Sequence, residues 1–221
     1  MEPEKRKGDL NLPDLFEQTL NDVLQVSASA SPTPGGGSVA AVVACFGLAM
    51  AAMVTNLTLG KEKFKDVEPQ IQEIRAGVED LMIRLKELTA EDMAGFHAYM
   101  QALRLPKESP EEKAGRDEAL QVAAKAATET PLAVAGVCLE GLELVQRLAP
   151  LGNRMAISDD GVAAYFLAAC VGAVLLSAEI NLPGIRDAEY VASVVARTAE
   201  MRSRANRRRD QTLAVVGERM G

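Results

Sequence analysis

The amino-acid sequence predicts an all-α fold, a bundle of about six long helices in a single domain that spans residues 1–221. Proline and glycine residues divide the chain into long blocks, and apolar residues recur within these blocks at steps of three and four. The alternation of apolar and polar residues that is typical of strands is missing. Hydrophobic residues make up 48% of the chain and aromatic residues only 4%, so small side chains must fill the core and allow close helix packing.

The first two helices are predicted from breakers and from an apolar face. Helix one is expected to follow Pro13. Its apolar face consists of Phe16, Leu20, Val23 and Leu24. Helix two is predicted to run from Ser38 to about Leu59 and to end at Gly60, because Ser38 follows three glycines and stands where an N-cap is expected.

The third helix is predicted from near Val67 to about Leu103, because an apolar stripe repeats along it at helical spacing. The stripe consists of Val78, Leu81, Met82, Leu85, Leu88, Phe96, Tyr99 and Leu103. Asp92 falls on the same stripe. In an apolar pocket, desolvation raises the pKa of a carboxyl, which suits a proton donor to a leaving amine. A structural aspartate bonded to a neighbouring helix is the equally open alternative.

The fourth helix is predicted to begin with Ser109 as N-cap and Pro110 in its first turn, and to run to about Ala149. Pro131 interrupts this segment and is predicted to kink the helix or to split it in two.

The fifth helix is predicted to begin at Ser158 or Asp159, either of which can cap it, and to close at Asn181. A sixth helix is predicted from about Asp187 to the C-terminus. These boundaries complete the set of about six helices.

Charge and cysteine usage exclude several function classes. The net charge of −7 argues against nucleic acid as a partner, because binding the phosphate backbone needs a positive surface. Cys45, Cys138 and Cys170 lie scattered in apolar segments without metal-ligand spacing. The sequence therefore predicts no metal site and buried free thiols in a reducing compartment, the cytoplasm. The charged Met1–Lys7 segment is followed by no apolar signal core.

Two segments without charge, 39–54 and 162–176, are the most apolar parts of the chain. Both are shorter than the ~20 residues that a membrane span needs. The prediction is therefore no membrane span, but helices that are buried within the protein or at a subunit interface. Because one small helical core does not readily hide both, the sequence predicts a homodimer.

The loop Pro32–Ser38 contains two prolines and three glycines before the second helix. Its backbone N–H groups and the positive end of that helix predict a cradle for an anion or a polar heterocycle. A flexible turn capped by serine is the alternative. The loop lacks the lysine of a nucleotide P-loop and the preceding strand of a dinucleotide fold, so neither nucleotide motif applies.

An ordered series of short motifs spans the chain from about residue 12 to 215. They are Pro34-Gly35-Gly36-Gly37-Ser38, Gly60-Lys61 with Phe64, Asp92 with Phe96, Arg104–Lys107, Pro110–Lys113 with Arg116, Pro131-Leu132, Gly152-Asn153, Ser158-Asp159, and Asn181-Leu182 with Ile185. In this series the sequence resembles the cyclodeaminase/cyclohydrolase family. Its members are the cyclodeaminase half of formiminotransferase-cyclodeaminase and stand-alone bacterial methenyltetrahydrofolate cyclohydrolases.

The resemblance implies an all-helical homodimer that binds a folate near the dimer interface and needs no metal or redox cofactor. It implies that Asp92 is the proton donor. The substrate-binding residues that it implies are Pro34, Gly35, Gly36, Gly37, Ser38, Asn153, Ser158, Asp159 and Asn181. Lys61 is a further candidate, for the glutamate tail of the folate, with ordinary surface charge as the alternative.

Two reactions are compatible with this resemblance. One converts 5-formiminotetrahydrofolate to 5,10-methenyltetrahydrofolate and releases ammonia. The other hydrolyses 5,10-methenyltetrahydrofolate to 10-formyltetrahydrofolate. The sequence alone does not separate these two reactions. A helical protein that binds a folate or a protein partner without catalysis is the third possibility, and the presence of Asp92 weighs against it.

Overall fold

A computed structural model describes residues 14–221, which contain six α-helices, four short 3-10 helices and no strand. The α-helices are α1 (Leu20–Ser27), α2 (Gly36–Thr58), α3 (Glu68–Leu103), α4 (Pro110–Leu148), α5 (Ile157–Glu179) and α6 (Ala188–Met220). The all-α prediction is confirmed. The expectations for Met1–Lys7 and for a helix start at Pro13 lie outside the described residues.

Helices α2 to α5 form the body of the bundle. Helix α2 packs against α3 and α5, α4 packs against α3 and α5, and α6 covers α5 and α4. Small residues let the helices approach closely. A Cβ atom on Gly141 of α4 would lie only 2.9 Å from a methyl group of Leu48 on α2. The core is accordingly built from alanine, valine and leucine, as the composition predicts.

Helix α1 contributes no buried residue to this core. It begins after Thr19, whose hydroxyl accepts a hydrogen bond from the backbone N–H of Asp22. Leu20 and Leu24 are 60% and 61% exposed, so the apolar face predicted for helix one is mostly uncovered. Leu20 and Val23 only line an open groove beside α2. Phe16 belongs to a separate 3-10 helix, where it packs against the core.

The start of α2 corrects the predicted N-cap. Gly35 is the N-cap, helical geometry begins at Gly36, and Ser38 lies within the first turn. The hydroxyl of Ser38 does not cap its own helix, because it donates to the carboxylate of Asp92 on α3. The long-range hydrogen bond to Asp92 therefore replaces the local capping hydrogen bond that the sequence pattern predicted.

Helix α4 is continuous, so of the two outcomes predicted for Pro131 the split of the helix is wrong, and the kink stays a prediction. Pro131 removes one backbone hydrogen bond, but packing of this 39-residue helix against both α3 and α5 holds the two halves together. The predicted N-terminus is confirmed. Ser109 and Glu112 form a capping box, in which the hydroxyl of Ser109 accepts from the Glu112 N–H and the Glu112 carboxylate accepts from the Ser109 N–H.

The start of α5 also differs from the prediction, because neither Ser158 nor Asp159 caps it. A 3-10 helix, Arg154–Ala156, runs directly into α5 and supplies the preceding turn. Asn153 caps that 3-10 helix by accepting from the Met155 N–H at 3.2 Å. This capping residue thus lies five positions before Ser158 and six before Asp159.

Three helical segments are long and apolar enough to cross a membrane by length and composition alone. They are Gly36–Thr58, Pro110–Leu148 and Arg154–Gly184. The argument from short uncharged segments is therefore wrong, since α2 extends beyond residues 39–54 at both ends. Of the most apolar window in α2, 56% is buried against other parts of the protein.

Asp160 on α5 is a buried carboxyl without a hydrogen-bond partner. Its side chain is 0% exposed, and neither carboxylate oxygen meets a donor within the described part of the chain. Burial raises the pKa of Asp160 to about 8; the charge of Arg219 opposes the shift and that of Asp159 adds to it. Between the ordinary carboxyl pKa near 4 and this value, the folded protein binds a proton that the unfolded chain has lost. Stability should therefore fall as the pH rises from about 4 to about 8.

We expect Asp160→Asn to remove this loss, because the amide cannot ionise. The free energy of unfolding at pH 8 should exceed that of the wild type by about 1–3 kcal/mol, and the two proteins should converge at about pH 4, where the unfolded chain also binds the proton. Urea unfolding at both pH values measures the difference. Asp159→Asn, next to it on the same helix, is the matched control and should change stability by less than about 0.5 kcal/mol at either pH. Equal stability of Asp160→Asn and the wild type at pH 8 would contradict the assignment.

Candidate functional site

A cavity of about 400 Å³ opens where four helices meet. Its walls are the first turn of α2 with the loop before it, the C-terminal half of α3, the middle of α4, and the C-terminal end of α5 with the residues that follow. Residues far apart in the sequence thus share one concave surface of a size that holds a small molecule.

The carboxylate of Asp92 lies at the N-terminus of α2, inside this cavity. The hydroxyl of Ser38 donates to Asp92 Oδ2 at 2.6 Å. A Cβ atom on Gly37 would lie 3.0 Å from both carboxylate oxygens, so only glycine leaves the carboxylate its full space. The glycine-rich loop therefore cradles an anion of the protein itself, supported by the positive end of the α2 dipole.

Two opposing effects set the pKa of Asp92. Burial raises it, hydrogen bonds from the side chain and the backbone N–H of Ser38 lower it, and the pKa remains above its ordinary value. A carboxyl in this position holds a proton at higher pH than a surface aspartate does. It is therefore better matched to proton transfer near neutral pH, as the sequence analysis expected for an acid on an apolar stripe.

The wall next to Asp92 is apolar and partly aromatic. Met93, Phe96, Tyr99 and Met100 of α3 contribute it, and Pro131 of α4 lies across the cavity. Aromatic rings and methionine side chains give broad, polarisable contact surfaces. Such a wall suits a planar heterocycle whose reacting atoms lie near the carboxyl of Asp92.

Polar groups lie at the side of the cavity formed by α4 and α5. Asn181 follows α5, and its amide nitrogen donates to the carbonyl oxygens of Ala127 at 3.1 Å and Ser177 at 3.0 Å. The side chains of Thr130 and Ser177 line the cavity on the same side. This arrangement provides hydrogen-bonding groups that fix the orientation of a ligand.

The structure brings together six of the residues predicted for the site: Gly35, Gly36, Gly37, Ser38, Asp92 and Asn181. Pro34 lies buried within the same loop, between cavity residues on either side. These residues come from α2, α3 and the end of α5. Their convergence is a property of the fold that no single segment reveals.

The other four predicted residues lie at the opposite end of α2. Asn153 donates its side-chain amide to the Leu57 carbonyl at 3.0 Å, and its backbone N–H bonds to Thr58. Lys61 and Ser158 are exposed near the same end, and Asp159 is half-buried. A helix of 23 residues is roughly 34 Å long, so one chain does not bring these residues to the cavity. Their role in binding stays a prediction.

Sequence patterns did not predict Thr130, Ser177 and Met100 as cavity residues. None stands in an unusual local pattern, because each is an ordinary helical residue until another helix faces it. Tyr99 was assigned to the core stripe, yet it is half-buried and lines the cavity. Its position one turn after Phe96, on the stripe of Asp92, is the one indication that the sequence offered.

All three cysteines are buried and free, as predicted. Burial raises the pKa of Cys45 to about 11 and that of Cys170 to about 12, so these thiols stay protonated and unreactive at neutral pH. Within residues 14–221, no group of three or more histidine, cysteine, aspartate or glutamate side chains is arranged to hold a metal ion.

Comparison with known proteins points to one family. The formiminotransferase-cyclodeaminase family matches residues 19–200. A methenyltetrahydrofolate cyclohydrolase from Methylorubrum extorquens is 39% identical over 173 residues, which cover 78% of this chain and 83% of that protein. The formimidoyltransferase-cyclodeaminase from Sus scrofa is 33% identical over 187 residues. That match covers 85% of this chain but 35% of the relative, so the chain spans about a third of the longer protein.

The fold has a close counterpart among solved structures. The crystal structure of formiminotetrahydrofolate cyclodeaminase from Thermotoga maritima aligns with a TM-score of 0.82 and 28% sequence identity. The alignment covers 92% of this chain and 98% of that one. The two chains therefore share the arrangement of helices that forms the cavity walls.

Proposed function

The chain belongs to the formiminotransferase-cyclodeaminase family, and we propose that it converts 5-formiminotetrahydrofolate to 5,10-methenyltetrahydrofolate with release of ammonia. Its relatives are named as cyclodeaminase and cyclohydrolase enzymes, and the chain is an enzyme of this folate one-carbon family. The proposal concerns the reaction and the residues that carry it.

The observation that carries the proposal is the buried carboxyl of Asp92 at the glycine-rich end of α2. In the proposed reaction, N10 of the folate attacks the carbon of the formimino group, whose nitrogen is protonated. The resulting tetrahedral carbon bears N5, N10 and an amino group. Asp92 takes the proton that N10 loses and gives it to the amino nitrogen. The carbon–nitrogen bond then breaks, ammonia leaves with the bonding electrons, and the methenyl cation forms.

The remaining cavity residues would hold the folate for this transfer. The aromatic wall of Phe96 and Tyr99 packs against the ring system in this proposal, and the Ser38 hydroxyl fixes the Asp92 carboxylate by its 2.6 Å hydrogen bond. Holding N10 against the carbon contributes through proximity, and positioned proton transfer contributes roughly a hundred- to ten-thousand-fold. The mechanism uses no metal or redox cofactor, and we place the enzyme in the cytoplasm, where its three thiols stay reduced.

Hydrolysis of 5,10-methenyltetrahydrofolate is the second candidate reaction. It is favoured by the relative from Methylorubrum extorquens, which is 39% identical and is named a methenyltetrahydrofolate cyclohydrolase. In this reaction Asp92 takes a proton from the water that adds to the methenyl carbon and gives it to N5 as the bond between that carbon and N5 breaks. The hydroxyl group on the carbon then loses its proton to solvent and becomes the formyl carbonyl. The same carboxyl therefore serves either reaction, since both pass through a tetrahedral carbon between N5 and N10.

Absorbance of the methenyl chromophore distinguishes the candidates in two assays with the purified protein. We expect the chromophore to appear faster with enzyme when 5-formiminotetrahydrofolate is the substrate. Faster loss of the chromophore from 5,10-methenyltetrahydrofolate, without activity in the first assay, would assign the hydrolase instead. No effect in either assay would favour a protein that binds a folate or a partner without catalysis.

We also propose that the enzyme is a homodimer, with the exposed faces of α2 and α5 as the interface. Gly36–Thr58 and residues 161–178 contain no charged residue. Large apolar side chains nevertheless remain exposed there. They are Phe46, Leu57, Val162, Tyr165, Phe166 and Leu176. A surface of this kind on a soluble protein marks an interaction site, and a second copy offers the matching surface.

Tyr165→Asp should dissociate the dimer, because it places a charge on a side chain that is 56% exposed in one chain and buried in the dimer. Light scattering at micromolar concentration should give twice the monomer mass for the wild type and the monomer mass for the variant. Val122→Asp is the matched control, since Val122 is 62% exposed on α4, outside the α2/α5 face. A monomeric wild type would contradict the proposal.

A further inference from the structure

We propose that Asn181 presents its amide oxygen to the cavity as a fixed hydrogen-bond acceptor and thereby selects ligands that place an N–H group against it. The ligand chemistry rests on the proposed function, because the folate substrate carries such groups.

The contacts of Asn181 fix which end of its amide faces the ligand. Its nitrogen donates to two backbone carbonyl oxygens, those of Ala127 on α4 and Ser177 on α5. A reversed amide would place its oxygen 3.0–3.1 Å from the same two carbonyl oxygens, which repel it. Both N–H hydrogens are therefore used inside the protein, and only the oxygen is available to a ligand.

Asn181 lines the cavity, and among residues 14–221 no group donates a hydrogen bond to its amide oxygen. An acceptor that a ligand desolvates without pairing weakens binding, whereas a ligand N–H at this position satisfies it. The cavity therefore discriminates between ligands that are equal in shape but differ in donor and acceptor character.

The turn that carries Asn181 is itself held in place. Gln121 on α4 bonds to it with both ends of its side-chain amide, donating to the Gly184 carbonyl at 2.8 Å and accepting from the Arg186 N–H at 2.8 Å. Lys125 pairs with Asp187 at 2.7 Å one helical turn further along α4. The acceptor is thus preorganised, and binding a ligand does not have to order it.

Two ligand groups could supply the N–H: the formimino nitrogen at the reacting carbon, or an N–H of the pterin ring. A matched ligand pair separates them. 5-Formyltetrahydrofolate has the same skeleton as 5-formiminotetrahydrofolate but carries an oxygen acceptor in place of the formimino N–H. The pterin is identical in both ligands.

The test measures dissociation constants for both ligands by calorimetry in an Asp92→Asn background, where proton transfer is removed and binding is read separately from turnover. Asn181→Leu removes the acceptor at similar volume, and Asn181→Asp keeps an acceptor oxygen. Thermal unfolding and circular dichroism verify that each variant is folded before its binding is compared.

We expect Asn181→Leu to weaken 5-formiminotetrahydrofolate about tenfold or more and 5-formyltetrahydrofolate much less, which assigns the N–H to the reacting group. Equal weakening of both ligands in Asn181→Leu, with smaller weakening in Asn181→Asp, assigns it to the pterin. Either result supports a fixed acceptor.

Unchanged affinity of both ligands in Asn181→Leu would overturn the inference. Equal weakening in the leucine and aspartate variants would also overturn it, because loss of the two donor bonds would then explain the effect. If the wild type binds both ligands but performs neither reaction, the proposed function fails, while the selectivity of Asn181 is still tested by the same constants.

Discussion

Asp92→Asn should lose about a hundred- to ten-thousand-fold in kcat/KM for 5-formiminotetrahydrofolate while keeping its fold. The amide cannot take the proton from N10 or give it to the leaving nitrogen. Its oxygen can still accept the hydrogen bond that the Ser38 hydroxyl now makes at 2.6 Å, so the geometry of the cavity is retained. Steady-state rates from the methenyl chromophore measure the loss, and thermal unfolding verifies the fold.

Glu91→Gln is the matched control for this variant. Glu91 is the preceding residue on α3 and is exposed outside the cavity. The kcat/KM of this variant should therefore stay within about twofold of the wild type. Full activity of Asp92→Asn in both folate assays would refute the assignment of the proton-transfer group.

Gly37→Ala should lower kcat by roughly ten- to a hundred-fold without loss of stability. The added methyl group would lie 3.0 Å from both oxygens of Asp92 and 3.3 Å from its Cγ, so the carboxyl must move away from its present position. Alanine is the better helix former in this first turn of α2, which offsets the crowding in the free energy of unfolding. The variant therefore keeps the carboxyl of Asp92 but changes its position, and so tests whether catalysis depends on that position.

A second glycine-to-alanine change provides the comparison. Gly136 lies inside α4, and a Cβ atom there meets nothing within 4 Å. Gly136→Ala should keep the wild-type rate and gain about 0.5–1 kcal/mol of stability. If Gly37→Ala were as active as Gly136→Ala, the close contact between α2 and the carboxyl would have no part in catalysis.

Much of the fold follows from local patterns in the sequence. The capping box of Ser109 and Glu112 needs only residues near one another, and the structure places it where the pattern predicted. The misplaced start of α2 has a long-range cause. Ser38 matches the local pattern of an N-cap, but Asp92 recruits its hydroxyl from 54 residues away. Packing likewise carries α4 through Pro131, which local propensity alone would have made a break.

The candidate site was predictable where a residue conflicts with its surroundings. Asp92 stood out as a carboxylate on an apolar stripe, and the glycine-rich loop stood out as a break before an uncharged helix. Thr130 and Ser177 carried no such conflict and became cavity residues only through the packing of α4 and α5. Ser158 and Asp159 were predicted as site residues from the family resemblance. Within one chain they lie at the end of α2 opposite the cavity.

A single-turnover reaction tests the central claim most directly, with enzyme in excess over 5-formiminotetrahydrofolate and with ammonia and the methenyl chromophore measured in the same quenched samples. The proposed mechanism predicts that wild-type enzyme forms both products in equal amounts at one rate, and that Asp92→Asn forms them no faster than about a hundredth of that rate. Equal rates in the two proteins, or no products above the uncatalysed reaction from a folded wild type, would contradict it.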